Sequence, residues 1–267
     1  MSKTTIDPTV IGVEGTAGAP MPTLVNRETW QKHLDELLVR EKAFTSEGDA
    51  IAAARRRLPM VEVDAATRVV GRDGPVSLRD VFDGRRQLIV YYHMWHDGQP
   101  APEQCEGCSF FNGHQHELSY LHSRDVTYAA FCEGPYAESA RYHDFMGWEM
   151  PWYSAKDSQE VLIAGRGGFG LICCYLRDGD RVFETYWTTG RAAERMSSTY
   201  AMLDMTVYGR QEEWEDSPNG WPQSFALRGE QFRYNGRPTA QWARLAGGHS
   251  DELGMDAEAA RNRESRH

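Results

Sequence analysis

The sequence contains no run of about 20 consecutive apolar residues, the length that a helix needs to cross a bilayer. Its first 22 residues also lack an apolar block of signal-peptide length, and they include Lys3 and Asp7. We therefore expect no membrane partner and a cytoplasmic location.

Basic charge is scarce as well. The chain has 39 Asp and Glu against 29 Lys and Arg, a formal net charge of −10, so it is not expected to bind nucleic acid. With 267 residues, 40% of them hydrophobic and 25% charged, the composition is ordinary for a globular protein. The length allows one large domain or a core domain with extensions.

Cysteine is limited to five residues, an odd number that does not form a disulfide framework. Cys132, Cys173 and Cys174 fall in predicted strands, and we expect them to pack in the core. The other two form the motif Cys105-Glu106-Gly107-Cys108. Any disulfide in this chain is therefore expected to be catalytic or transient rather than structural.

The chain before residue 61 is predicted to lie outside the core domain. Residues 1–22 are rich in Gly, Pro, Thr and Ala and are interpreted as a flexible arm. Residues 23–60 are interpreted as a helical extension with two helices, Arg27 to Ala43 after the N-cap Asn26, and Ser46 to Arg57. We expect the first helix to bury one face, because apolar residues recur on it at helical spacing: Trp30, Leu34, Leu37 and Leu38.

Residues 61–225 are predicted to form the core domain, and residues 226–267 an irregular C-terminal extension with a polar tail. The strongest strand has five consecutive apolar or aromatic residues, Leu88 to Tyr92, which is typical of burial on both faces. The elements predicted after it are a helix over 109–123, a strand over 126–132, a helix from Pro135 to Gly147, a hairpin at Asp178-Gly179 and a helix over 191–203. This order predicts an α/β protein with a thioredoxin-like core, a central mixed sheet flanked by helices.

The paired cysteines fall between the strongest strand and the next predicted helix. A helix N-terminus lowers the pKa of a thiol from about 8.5, and two intervening residues let the second thiol resolve a mixed disulfide. We therefore predict a thiol-disulfide oxidoreductase with Cys105 as the more exposed nucleophile and Cys108 as the resolving thiol. Its partner would be a disulfide-bearing protein or a small-molecule thiol, and no cofactor would be required. A homodimer is expected only from the frequency of symmetric dimers.

Acidic residues beside the motif oppose a reactive thiolate. Glu103 and Glu106 flank the cysteines, and nearby negative charge disfavours the thiolate form. No Lys or Arg lies between Arg86 and Arg124, so along the sequence only histidines could supply local positive charge.

Histidines near the motif keep a metal site open as an alternative. Zinc or copper accepts thiolate and imidazole ligands, and the best candidate set is Cys105, Cys108, His96 and His116. Residues 108 and 116 would share one face of the predicted helix.

A second alternative is a non-catalytic thioredoxin-like scaffold. Aromatic residues around the motif are candidates for an apolar substrate pocket: Trp95, Phe110, Trp148 and Trp152.

Several segments together resemble a known bacterial family. "PTLVNRETWQKHLDELLVREKAFT", "CEGCSF" and "YLRDGDRVFETYW", within roughly residues 22–223, are similar to the uncharacterised family with domain-of-unknown-function number 899. The resemblance implies a thioredoxin-like fold and a dithiol-disulfide oxidoreductase activity at Cys105 and Cys108. The sequence differs from thioredoxins because "GRGGFGLICC" has no proline where they place a cis-proline. It also lacks the Pro-x-x-x-Thr-x-x-Cys motif of peroxiredoxins, since Gly98 and Pro102 stand at the Pro and Thr positions.

Overall fold

The computed structural model describes residue 18 and residues 20–226, 230–234 and 237–241. The predicted arm and the predicted polar tail fall largely outside these residues. The helices are α1 (Arg27–Arg55), α2 (Leu78–Val81), α3 (Glu106–Asn112), α4 (Ser119–His122), α5 (Tyr136–Met146), α6 (Gln159–Ile163) and α7 (Ser198–Leu203). The strands are β1 (Val61–Val63), β2 (Arg68–Gly71), β3 (Gly74–Ser77), β4 (Gln87–His93), β5 (Val126–Cys132), β6 (Trp152–Ser154), β7 (Leu171–Asp178), β8 (Arg181–Thr189), β9 (Arg233–Tyr234) and β10 (Arg237–Pro238).

The chain divides into two compact units. One contains the described residues up to Phe44 together with Thr199–Gln231, and the other contains Thr45–Ser198 together with the described residues from Phe232 onwards. In the first unit, Arg210 forms a two-pronged ion pair with Asp204 and stacks 4.1 Å from the ring centroid of Tyr200. The second unit contains the large sheet and the paired cysteines.

Eight strands form one sheet in the order β1-β8-β7-β4-β5-β6-β2-β3. Strand β4 is parallel to β5 and antiparallel to β7, which is antiparallel to β8. Helix α3 follows β4, and the chain continues through α4 into β5. A parallel strand pair joined through helices, with an antiparallel hairpin on the other side of the first strand, is the thioredoxin-like arrangement. The fold prediction is therefore confirmed.

Strand β4 is buried on both faces, as its apolar run predicts. Leu88, Val90 and Tyr92 pack in one cluster with residues of α2 and α6, whereas Tyr91 packs in the other with residues of α3 and α5. His93 ends the strand and is also fully buried. The α3 face of the sheet is therefore an aromatic-rich core directly beneath the paired cysteines.

The predicted N-terminal helices are wrong in two respects. Asn26 does cap the first turn, since its side-chain oxygen accepts the Thr29 N–H at 2.8 Å. However, α1 continues without a break from Arg27 to Arg55, and none of its residues is buried. The predicted break fell at Phe44 and Thr45, and such residues weaken a helix by at most about 0.7 kcal/mol each relative to Ala, which does not end one. The apolar side chains expected to form a buried face, such as Trp30 and Leu37, are about half exposed.

The helix predicted over residues 109–123 is interrupted. Helix α3 ends at Asn112, and the next N–H groups bond three residues back, from His114 to Phe111 and from Gln115 to Asn112. The ring of His114 takes over the Phe110 carbonyl at 2.7 Å. Chain beyond Gly113 therefore leaves the helix axis, and His116 does not lie on a helical face with Cys108.

Candidate active site

The loop between β4 and α3 is held by one buried amide. The side-chain oxygen of Gln104 accepts the His96 N–H at 3.0 Å, and its nitrogen donates to the carbonyls of His96 and Gln99. Gln104 is only 1% exposed. Because a buried amide with several bonds has a single orientation, it fixes the loop immediately before Cys105. The sequence interpretation missed this residue, since an isolated Gln carries no local signal.

Cys105 is the N-cap of α3 and is partly exposed. Its Sγ accepts the Cys108 N–H at 3.4 Å. The pKa of Cys105 is lowered from its ordinary value, chiefly by the hydrogen bond from the Cys108 thiol and further by that backbone N–H. Burial and the Glu106 carboxylate oppose the shift, whereas His96 favours it. The lowered pKa favours the thiolate of Cys105, and the thiolate is the nucleophilic form of a cysteine.

Cys108 is fully buried and differs sharply from its neighbour. Its Sγ accepts the Met94 N–H at 3.4 Å. Burial raises the pKa of Cys108 well above its ordinary value, and the hydrogen bond to Cys105 raises it further. One thiol of the pair is thus accessible and acidified, and the other is covered and protonated. All five cysteines are free thiols in this structure.

A buried polar network lies beneath the dithiol. The Asn112 amide nitrogen donates to the Cys108 carbonyl at 3.0 Å and to Nδ1 of His93 at 3.1 Å. Its oxygen accepts the Tyr128 hydroxyl at 2.9 Å. Since a carbonyl only accepts, the amide orientation is settled, and Nδ1 of His93 must be the acceptor. The neutral imidazole therefore carries its proton on Nε2, which has no hydrogen-bond partner among the described residues.

The three predicted pocket tryptophans surround this buried histidine. The ring centroids of Trp152, Trp148 and Trp95 lie 5.1, 5.9 and 6.5 Å from that of His93, and all three side chains are buried. Phe110 lies apart from them on α3. Trp152 also lines a cavity of about 420 Å³ beside α5 and the β2–β3 turn. The three tryptophans thus belong to the core under the site. Contact of a substrate with them or with Phe110 stays a prediction.

Trp95 leaves no room for a side chain at Gly134. A Cβ built on Gly134 would lie 2.0 Å from Cδ1 of Trp95. We therefore expect Gly134→Ala to lower the free energy of unfolding by about 1–3 kcal/mol, the usual cost of overpacking, as measured by urea denaturation. Gly167→Ala is the matched control because a Cβ there meets nothing within 4 Å and no left-handed backbone is involved. Equal stability of the two variants would contradict this account.

The four candidate metal ligands are not brought together. His96 and His116 are exposed, and Nδ1 of His96 donates to the Glu103 carbonyl at 2.6 Å. Across the described part of the chain, no group of three or more His, Cys, Asp or Glu side chains is placed to hold a metal ion. The interruption of the predicted helix explains the position of His116. Zinc or copper binding stays an untested prediction without support from these positions.

Cys132 and Cys173 lie in the core as predicted, whereas Cys174 is only partly buried, and burial raises the pKa of all three. The pKa is raised to about 12 for Cys132 and Cys173 and to about 11 for Cys174.

Within the described residues, no helix is long and apolar enough to span a bilayer.

The family model described as "Bacterial protein of unknown function (DUF899)" matches residues 19–232. No curated protein matches the chain significantly. Among solved structures, the chain is similar to peroxiredoxin Q from Xanthomonas campestris, with 13% identity, coverage of 55% of this chain and 96% of that one, and a TM-score of 0.39. It is also similar to a secreted Mycobacterium tuberculosis disulfide oxidoreductase homologous to E. coli DsbE, with 12% identity, coverage of 52% and 97%, and a TM-score of 0.33. Because the family match spans most of its length, the chain belongs to the DUF899 family.

Proposed function

We propose that the protein is a thiol-disulfide oxidoreductase that reacts through Cys105 and Cys108. The observation that carries the proposal is the asymmetry of the pair: Cys105 caps α3 with a lowered pKa, and Cys108 is buried beneath it with a raised one. A dithiol needs this difference, because one thiol must attack as a thiolate while the other waits in protonated form.

The reaction has two displacement steps. The Cys105 thiolate attacks one sulfur of a substrate disulfide, forms a mixed disulfide and expels the other substrate sulfur as a thiolate. Cys108 gives its proton to the expelled thiolate or to solvent and then attacks Sγ of Cys105. This second step releases the remaining substrate thiolate and leaves a Cys105–Cys108 disulfide. The substrate gains two electrons that the dithiol loses, and the reverse sequence oxidises a dithiol substrate.

A redox titration tests the proposal directly. The protein is equilibrated with mixtures of reduced and oxidised glutathione, quenched with acid and alkylated, and its free thiols are counted by mass spectrometry. We expect reversible loss of two thiols in one two-electron transition, mapped to Cys105 and Cys108. Transitions that stay incomplete in strong oxidant, or that involve other cysteines, would refute the proposal.

The pKa pattern predicts selective alkylation. At neutral pH, iodoacetamide should modify Cys105 fastest, with a rate midpoint below that of an ordinary thiol, because its pKa is lowered. The other cysteines should react slowly, because a raised pKa keeps each of them protonated at neutral pH. Peptide mapping after brief exposure identifies the modified residue. Cys105→Ser should abolish the fast phase, and a fast phase on any other cysteine would contradict the assignment.

A further inference from the structure

Both residues between the paired cysteines contact the same distant dipeptide. Glu106 forms an ion pair with the Arg233 guanidinium. Gly107 faces the ring of Phe232, since a Cβ built on Gly107 would lie 3.2 Å from Cε2 of that ring. More than 120 residues separate the two segments along the chain. The dipeptide Phe232-Arg233 therefore lies against the start of α3, beside Cys105.

The phenylalanine occupies an aromatic surface on α3. Its ring centroid lies 5.1 Å from that of Phe110 and 6.2 Å from that of Phe111. The Phe232 carbonyl accepts the Thr239 hydroxyl at 2.9 Å, which ties this backbone to the following turn. We call Glu106, Gly107, Phe110 and Phe111 the α3 platform. Gly107 has no left-handed backbone, so its small size serves the close approach of an aromatic ring.

The arginine supplies charge that the local sequence lacks. Residues 87–123 contain no Lys or Arg, and the Glu106 carboxylate opposes formation of the Cys105 thiolate. Arg233 pairs with this carboxylate and also donates to the Pro102 carbonyl at 3.0 Å. The ion pair is partly shielded, with 29% of the Arg233 side chain and 20% of the Glu106 side chain exposed. A cation at this place therefore has two defined acceptors.

The α3 platform lies beside Cys105, where a substrate disulfide must approach. A disulfide approaching Sγ of Cys105 brings the residues next to its own cysteine over the first turn of α3. In this structure, that turn contacts Phe232 and Arg233, an aromatic residue followed directly by a basic one. A small disulfide has no flanking residues to place on the platform, whereas a polypeptide has.

Building on the proposed function, we propose that the α3 platform is the docking surface for polypeptide disulfides and that Phe232-Arg233 occupies it as an internal substrate mimic. The partner that fits is a polypeptide with an aromatic residue followed by a basic residue beside its disulfide cysteine. Such a partner displaces the dipeptide, makes the same ring contacts and pairs its cation with Glu106. Small disulfides without flanking residues, such as 2-hydroxyethyl disulfide, react without this displacement.

The test uses the full-length reduced protein and three probe disulfides. Two are tripeptide amides, Phe-Arg-Cys and Ala-Gln-Cys, each carrying thionitrobenzoate on the cysteine, and the third is 2-hydroxyethyl disulfide. Thionitrobenzoate release at 412 nm gives the second-order rate constants for the peptides. Loss of protein thiols, counted by mass spectrometry after alkylation, gives the rate for the small disulfide. The wild-type protein should react several-fold faster with Phe-Arg-Cys than with Ala-Gln-Cys.

Removing the internal occupant should favour the peptide selectively. Phe232→Ala should raise the rate with Phe-Arg-Cys about two- to tenfold, the range expected from loss of an aromatic contact, and leave the rate with 2-hydroxyethyl disulfide unchanged. At high pH, Arg233→Gln should also raise the rate with Phe-Arg-Cys. It should shift the pH midpoint of the Cys105 reaction upwards, because Glu106 loses its counter-ion. Arg181→Gln breaks an ion pair with Glu62 on strand β1 and is the matched control, expected to change neither rate.

The outcomes separate the two proposals. If the wild-type protein does not react with 2-hydroxyethyl disulfide, the proposed function fails. If it reacts with the small disulfide but treats the two peptides equally, or if Phe232→Ala leaves the Phe-Arg-Cys rate unchanged or lowers it, the docking proposal alone is overturned. The peptide comparison uses unmodified protein, so it remains decisive even if a variant fails to fold.

Discussion

Cys105→Ser is expected to lower the rate of disulfide exchange on the order of 10³-fold or more. A serine hydroxyl is not ionised near neutral pH, so the first displacement loses its nucleophile. None of the other cysteines can replace it, because burial keeps their pKa values raised. The measurement is thiol release from 2-hydroxyethyl disulfide by the pre-reduced variant, with unfolding by urea followed in parallel to establish that the fold is kept.

Cys108→Ser should instead stop the reaction halfway. The first displacement still occurs, but no resolving thiol follows, so a one-to-one mixed disulfide accumulates on Cys105 and is detected by its mass. Serine retains a hydroxyl that donates to Sγ of Cys105, whereas Cys108→Ala removes this donor. Because the Cys108 thiol is the largest cause of the lowered Cys105 pKa, the alkylation midpoint should rise further in Cys108→Ala than in Cys108→Ser.

The control for these substitutions is Cys174→Ser. Cys174 is a partly exposed thiol on β7, outside the dithiol, and its replacement should leave the exchange rate near that of the wild-type protein. Retained exchange in Cys105→Ser, or a trapped adduct on any residue other than Cys105 in Cys108→Ser, would show that the roles are assigned wrongly.

The parts of the fold predicted correctly are those with strong local signals. Strand β4 has a continuous apolar run, and α5 has Pro135 at its start and Gly147 in the left-handed conformation at its end. These features act through residues adjacent in sequence. The order of such elements was sufficient to predict the thioredoxin-like core and the position of the dithiol before α3. The greater exposure of Cys105 relative to Cys108 also followed from that position.

The parts that were missed depend on contacts between distant residues. At the end of α3, the Asn112 amide bonds to His93 on strand β4, a contact that the pattern of residues 109–123 does not show. The cation beside the dithiol is Arg233, which no reading of residues near the motif could have found. The continuity of α1 shows the opposite error, since a break was predicted at residues 44–45, where the small helix-propensity cost of Phe and Thr does not end a helix.

His93 predicts a strong pH dependence of stability. Its ring is fully buried among aromatic side chains, and burial lowers the pKa of His93 from 6.5 to about 3, with His96 adding repulsion. His93 therefore becomes protonated below about pH 6.5 in the unfolded chain, but only below about pH 3 in the folded protein. Since the folded pKa is the lower one, stability is complete above pH 6.5 and falls as the pH is lowered through this window.

At pH 4.5 this single group should lower the free energy of unfolding by about 2–3 kcal/mol relative to pH 7, at about 1.4 kcal/mol for each pH unit below 6.5. The experiment compares urea unfolding of the wild-type protein and His93→Gln from pH 7 to pH 4. Glutamine has a side-chain oxygen that can accept a hydrogen bond from the Asn112 amide, but it does not titrate. The free energy of unfolding of His93→Gln should therefore change less steeply with pH than that of the wild-type protein. Carboxylates that titrate in the same range are common to both proteins and cancel in the difference.

His116→Gln is the matched control, because it removes an exposed imidazole and should keep the wild-type slope. A constant loss of stability in His93→Gln at all pH values does not affect the comparison, since the test is the slope and not the offset. Identical slopes for the wild-type protein and His93→Gln would mean that His93 is protonated as readily in the folded protein as in the unfolded chain. The aromatic core beneath the dithiol would then accommodate an imidazolium, and the assignment of a neutral His93 bonded to Asn112 would be wrong.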